Sequence, residues 1–199
     1  MKINELTGYK SNQLYKDTKN IFSNINSFKD RLDKQTQFEQ YMMDNGFTFL
    51  GTGAYGSAFI HPTYPWVFKI FHNDPAFLAY FKYARQNQNN PNIPKVNKNI
   101  IKINKNTFAI RMEKLEKITK SDKDIQILIS YIRPIFQNTD LSPEDINFLQ
   151  QYYPNILKII NDMKAISPNS TLDLHANNIM KRSDNTPVII DPIIQDTEY

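Results

Sequence analysis

Three of the chain's five glycines fall within six residues, Gly51-Thr-Gly-Ala-Tyr-Gly56, and the segments on both sides are of β type. Phe47-Thr-Phe-Leu50 precedes them. Ser57-Ala-Phe-Ile60 follows, then a His61-Pro-Thr-Tyr-Pro65 turn and Trp66-Val-Phe-Lys-Ile-Phe71. A dinucleotide-binding loop with this glycine spacing opens a helix and meets an acid about 20 residues later; here a strand and a turn follow. A Walker-type phosphate loop needs Gly-Lys-Ser/Thr, which is missing. What remains is a glycine-rich β-hairpin. It is either an ordinary tight turn or a lid whose backbone amides approach phosphates closely, with glycine giving the backbone that freedom.

Lys69 lies thirteen residues past Gly56 in the third β-type segment. Flanked by Val67, Phe68, Ile70 and Phe71, it is either an outward charge on an alternating strand or a point charge for the α- and β-phosphates of a nucleotide.

The rest of the chain divides by periodicity. Residues 1–46 read as helical, with Leu14, Ile21 and Phe22, then Phe28, Leu32, Phe38, Tyr41 and Met42, near helical spacing. Ser27 is a candidate N-cap and Asn45-Gly46 a stop. Beyond Lys69, Asn73 or Asp74 can cap a helix with Pro75 in its first turn, which the Asn89-Asn-Pro-Asn-Ile-Pro94 stretch breaks. Ile100–Ile103 and Thr107–Met112 flank a polar Asn-Lys-Asn turn and read as another hairpin. Five antiparallel strands with one inserted helix result. After Glu113 the pattern turns helical. Ser121-Asp-Lys-Asp124 and Ser142-Pro-Glu-Asp145 are capping signals. Ile125, Leu128, Ile129 and Ile132, then Ile146 and Leu149, then Ile156, Leu157, Ile160 and Met163 form core stripes, with Pro154 kinking or restarting the last helix. The fold class is α+β.

Bulk properties narrow the function classes. At 199 residues the chain can build one domain or two small lobes. With no cysteine there are no disulfides, thiolate metal sites or cysteine nucleophiles, which suits a reducing cytoplasm. Three histidines without cysteine make a zinc site a poor expectation. No apolar run approaches the roughly 18 residues of a membrane span, and Met1-Lys-Ile-Asn-Glu-Leu6 lacks a signal peptide's apolar stretch. The net charge of +4 is spread over scattered lysines, so we expect a solvated surface and no specific nucleic-acid partner.

The segment Leu172-Asp-Leu-His-Ala-Asn-Asn-Ile-Met-Lys-Arg182, a polar turn, and Val188-Ile-Ile-Asp-Pro192 place Asp173, Asn178 and Asp191 around one short hairpin. A magnesium–nucleotide phosphotransfer site needs this kind of set: a positioner for the attacking hydroxyl and two hard oxygen ligands for the metal. His175, inside the loop, is expected to be a hydrogen-bonding residue and not a base. No Ser-His-Asp arrangement can be argued from Ser170, Asp173 and His175, which stand too close in sequence.

In this order the pieces resemble the protein-kinase-like superfamily: glycine loop, strand lysine, helix, hairpin, acidic hinge, helices, Asp-x4-Asn, strand, Asp. The loop Leu172-Asp-Leu-His-Ala-Asn-Asn-Ile-Met180 is similar to the loop of aminoglycoside and choline kinases, and within the superfamily the chain most resembles the small serine/threonine protein kinases of bacteriophages. The resemblance covers roughly residues 47–192. It implies a minimal bilobal kinase-like fold: an N-terminal helical extension (1–46), an N-lobe with the five-strand sheet (47–113), and a reduced helical C-lobe (114–199). It implies ATP and Mg2+ as cofactors and serine or threonine residues of host proteins as substrates, in the host cytoplasm. Asp173 would be the catalytic base. Asn178 and Asp191 would bind metal, Lys69 the α/β-phosphates, and Gly51, Gly53 and Gly56 would form the lid. Met112-Glu113-Lys114-Leu115 would be the hinge to adenine, through the backbone of Glu113 and Leu115.

The sequence also departs from that pattern. Between Phe71 and Met112 the only acid is Asp74, too early in the helix to pair with Lys69, with Gln86 or Gln88 as neutral substitutes. Asp191-Pro192-Ile193 replaces Asp-Phe-Gly. Eight residues follow Asp191, too few for an activation loop or a large helical substrate platform. Two other readings therefore stand beside an active protein kinase: a pseudokinase that binds nucleotide or a partner without transfer, and a small-molecule kinase of the aminoglycoside phosphotransferase type. The residues do not specify an oligomeric state.

Overall fold

A computed structural model describes residues 12–25, 28–53, 55–136, 139–166 and 171–194. Ser27, Ala54 and Ser170 lie outside the described residues. The chain divides into two compact units, Met1–Asp74 with Val96–Lys114, and Pro75–Lys95 with Leu115–Tyr199.

The first unit is built on a five-stranded antiparallel sheet in the order β1-β2-β3-β5-β4, with β1 Thr48–Thr52, β2 Gly56–Ile60, β3 Trp66–His72, β4 Ile101–Lys102 and β5 Thr107–Glu113. The five strands expected from the β-type segments and their turns are therefore present. The β4–β5 turn needs no glycine because Asn104 takes over: its side-chain oxygen accepts from the Asn106 and Thr107 amides at 3.0 and 2.9 Å. One sheet face is apolar, with Phe59, Phe68, Ile70 and Ala109, and it is covered by α1 (Asn12–Ile21) and α2 (Phe28–Asp44) through Ile21, Phe22, Phe38 and Met42. The Phe38 ring meets Phe59 edge-on at 5.6 Å. Helical spacing in residues 12–44 thus reflects burial of a stripe against a sheet.

The second unit holds α3 (Pro75–Gln86), α4 (Lys123–Phe136), α5 (Pro143–Tyr152) and α6 (Pro154–Ile166) with short strands β6 Glu116–Lys117, β7 Thr171–Leu172, β8 Ile179–Lys181, β9 Pro187–Ile189 and β10 Ile193–Ile194. Helix α3, expected as an insertion in the sheet lobe, belongs with this unit. It buries Ala76, Phe77, Tyr80, Phe81, Tyr83 and Ala84. Ser142 and Asp145 close the expected capping box at the start of α5. Pro154 restarts the helix, because a ring nitrogen cannot donate within a helix interior but fits its first turn. Strands β8 and β9 form the expected hairpin through a turn with Asn185 at φ +64°.

Candidate active site

The hairpin β8–β9 carries Asn178 immediately before its first strand and Asp191 two residues after its second. Ile179 pairs with Ile189, and the Ile190 amide donates to the Asn178 carbonyl at 2.9 Å, so both residues stand at the hairpin's open end. Asp173 follows β7. Its amide donates to the Pro192 carbonyl at 2.8 Å, and β7 pairs with β10 just past Asp191. Two short antiparallel pairings thus bring together three residues separated by up to eighteen positions.

Both carboxylate oxygens of Asp173 are engaged. The Asn178 side-chain amide donates to the Asp173 carbonyl at 2.8 Å and to Oδ2 at 3.0 Å. The Asn177 amide donates to His175 Nδ1 at 3.0 Å, which leaves the ring proton of neutral His175 on Nε2, 3.3 Å from Asp173 Oδ1. His175 therefore holds the carboxylate as an orienting donor. Burial pushes the Asp173 pKa above its ordinary value; His175 and the Asn178 hydrogen bond pull it down, and the charge on Asp191 raises it again. Two carboxylates that repel each other, with Asn178 Oδ1 left as an acceptor beside them, make a donor set that suits a hard divalent cation. Mg2+ takes one or two protein carboxylates and completes its shell with phosphate and water oxygens. Among the described residues no cluster of three or more His, Cys, Asp or Glu could hold a metal, so a cation here would depend on such outside oxygens.

The strand leading to Asp191 is braced from its free edge. The Tyr80 hydroxyl of α3 donates to the Ile189 carbonyl, the Ile189 amide donates to Asn92 O at 3.0 Å, and Asn92 Nδ2 donates to Pro187 O at 2.6 Å. Tyr80 is 1% exposed, so its removal strands a buried carbonyl. Tyr80→Phe is expected to cost about 1–3 kcal/mol of stability, read by urea unfolding.

In the first unit, Gly51, Ala58, Lys69 and Ile110 lie in one row across four strands, on the face opposite Phe68 and Ile70. Across this row the lysine is flanked by Ala58 on β2 and Ile110 on β5. The turn is closed by the Gly53 amide on the Gly56 carbonyl at 2.8 Å. A Cβ at Gly51 or Gly53 would meet nothing within 4 Å, whereas at Gly56 it would run into the Ile70 carbonyl and lie 2.9 Å from Phe71 Cα. Glu113 ends β5 and Leu115 is buried two residues on. Gln88, considered as a substitute partner for Lys69, donates its amide to the Ala84 and Pro94 carbonyls at 2.7 and 3.0 Å, closing the end of α3.

Residues 11–197 match the family described as bacteriophage T7 protein kinase 0.7. The chain belongs to this family. Among curated proteins no match was found. Similar solved structures include the Cydia pomonella granulovirus kinase PK-1, at 13% identity and TM-score 0.43, with 78% of this chain and 57% of that one covered. Rad53 1–466 in complex with AMP-PNP matches at 17% identity and TM-score 0.39, covering 78% and 42%. A streptomycin–ATP–APH(2")-IIa ternary complex matches at 15% and 0.35, covering 79% and 72%. The chain spans about half the length of the first two.

In this phage kinase relative, Tyr80 and Asn92 are the site's supports that sequence reasoning missed. Tyr80 carries no sequence signal for this role, and Asn92 read only as part of a helix-breaking run. Neither residue type signals a contact made with a strand about a hundred positions away.

Proposed function

We propose that the chain is an ATP- and Mg2+-dependent protein kinase that phosphorylates serine or threonine of host proteins in the infected cell's cytoplasm. The observation that carries this reading is the Asp173 carboxylate, fixed by His175 and Asn178 and set beside Asp191, in a chain of a phage protein kinase family. Asp173 accepts the hydrogen bond of the incoming hydroxyl, aims its oxygen, and takes its proton on a carboxylate oxygen as that oxygen bonds to the γ-phosphorus and the bond from the γ-phosphorus to the β–γ bridging oxygen breaks, with ADP as the leaving group. His175 and Asn178 fix the orientation of that carboxylate, which is what proximity catalysis requires. Asn178 Oδ1 and Asp191 would hold Mg2+, which when bound neutralises charge on the phosphate oxygens. Lys69 contributes a positive charge to the α- and β-phosphates, the Gly51–Gly56 turn covers them, and the backbone of Glu113 and Leu115 pairs with adenine. No helix among the described residues is long and apolar enough to cross a membrane.

A nucleotide-binding protein without transfer is the second reading, favoured by α3, which carries no acid from Pro75 to Gln86. Incubation with γ-labelled ATP and Mg2+, alone and with cell lysate, separates the two. Wild type is expected to label protein and Asp173→Ala is not. ATP binding without label above the variant's background would overturn transfer. Label on an aminoglycoside with proteins unlabelled would instead assign a small-molecule acceptor.

A further inference from the structure

The His175 ring is engaged at both ends. Nε2 lies 3.3 Å from Asp173 Oδ1, and Nδ1 accepts the Asn177 amide at 3.0 Å. The first contact orients a carboxylate. The second acts on a different residue. His175 is the N-cap of a single 3-10 turn, Ala176–Asn178, and its backbone there is extended, at φ −85° and ψ 168°. A cap acceptor satisfies an amide that the start of a helical turn leaves without a partner. Asn178 closes the same turn, and its amide donates to the His175 carbonyl at 2.9 Å. The turn is thus tied to His175 twice, through the ring and through the backbone.

Chemistry fixes which way the Asn178 side chain faces. It meets the Asp173 carbonyl at 2.8 Å and Oδ2 at 3.0 Å. Both partners are acceptors, the second as a carboxylate, so the amide nitrogen faces them and Oδ1 faces away. Oδ1 is then the atom left for a cation, and the turn that carries Asn178 sets its direction. Asp173, the His175 ring, the turn and the Asn178 amide form one closed circuit of hydrogen bonds within six residues, 173–178. Asn177 is exposed, so its amide can turn to water if the ring is removed. The chain then keeps its fold and the turn loses a restraint.

We propose that His175 is a positioning residue for the metal as well as for the attacking hydroxyl: Nδ1 caps the turn that aims Asn178 Oδ1, while Nε2 aims Asp173. The inference rests on the kinase reading above and ties the two halves of that site to one ring.

The two ends can be removed one at a time in the full chain. Asparagine places an acceptor where Nδ1 stands and is a preferred cap residue, but it is too short to reach Asp173. Glutamine places an amide N–H where Nε2 stands and leaves a methylene in place of the cap acceptor. Alanine removes both ends. Metal binding is read without turnover, as Mn2+ bound in the presence of AMP-PNP by electron paramagnetic resonance. His175→Asn should bind Mn2+ within about twofold of the wild type, and His175→Gln and His175→Ala about fivefold more weakly, the equivalent of a typical lost cap. The initial rate of protein labelling at saturating Mg2+ should rank in the other order, with His175→Gln above His175→Asn. If His175→Ala does not fold, the asparagine and glutamine variants carry the test. Mn2+ binding by His175→Asn that is no tighter than by His175→Gln overturns the proposal and leaves the kinase reading in place. A wild-type chain that binds no Mn2+ with AMP-PNP overturns the kinase reading and the proposal with it.

Discussion

Asp173→Ala is expected to lower phosphotransfer by about a hundred- to ten-thousand-fold, the range associated with a positioned proton acceptor, and to remove a stability penalty that the wild type carries at neutral pH. The first effect follows from the two donors on the carboxylate. Without it, His175 and Asn178 keep their places but nothing aims the attacking hydroxyl. The second follows from the raised pKa. Burial and the neighbouring charge of Asp191 disfavour the ionised form, so the folded chain binds the Asp173 proton more tightly than the unfolded chain does. Stability from this group is then greatest below the ordinary carboxylate value of 3.8 and falls as pH rises through the higher folded value. The alanine variant has no such group. Urea unfolding across the acid range should therefore show the wild type losing stability relative to Asp173→Ala as pH rises. Alanine is preferable to asparagine, whose amide would set a donor against either the His175 Nε2–H or the Asn178 amide. A wild-type minus variant difference that stays flat, or rises with pH, would contradict the assigned electrostatics.

The sheet and the β8–β9 hairpin were legible in the sequence for a shared reason. The short, nearly continuous apolar runs in Trp66–Phe71 and Thr107–Met112 report strands buried on both faces, and turns rich in Gly, Pro and Asn delimit the strands. Ser142 and Asp145 announced their helix because a capping box is a local arrangement. The two-residue strands Thr171–Leu172 and Ile193–Ile194 had no such signal. They are too short for periodicity, and they exist because they pair with each other across twenty residues. The same holds for the side chains that contact the β1–β2 hairpin. Gln35 and Glu39 sit in a helix with many polar residues, and a polar residue facing a hairpin's buried hydroxyl has the same sequence appearance as one facing water. Asp173, Asn178 and Asp191 stood out in the sequence as an unusual combination, and the structure brings them together around one hairpin. The tyrosine and asparagine that brace the strand before Asp191 are common residues whose role is set by tertiary placement.

Gly56→Ala and Gly53→Ala are expected to fail in different ways, although both residues belong to one motif. At Gly56 an added methyl runs into the Ile70 carbonyl and lies 2.9 and 3.0 Å from Phe71 Cα and Cβ. These are backbone and core atoms, and they cannot withdraw without breaking register. Gly56 pairs with Phe71 and Ser57 with Ile70, and the His72 amide donates to the Tyr55 carbonyl at 2.8 Å. Forcing extra volume into a packed site costs about 1–3 kcal/mol, occasionally more, and this contact belongs at the upper end. Gly56→Ala is therefore expected to unfold at a urea concentration well below that of the wild type, whatever the chain binds. At Gly53 a methyl meets nothing within 4 Å, so stability should stay within about 0.5 kcal/mol. A lowered ATP affinity in Gly53→Ala can then arise only at the ligand, because the fold does not need the glycine. If Gly53→Ala binds ATP as the wild type does, close approach of phosphates to this turn is disproved. The motif would then be read as a tight hairpin with a single structural glycine.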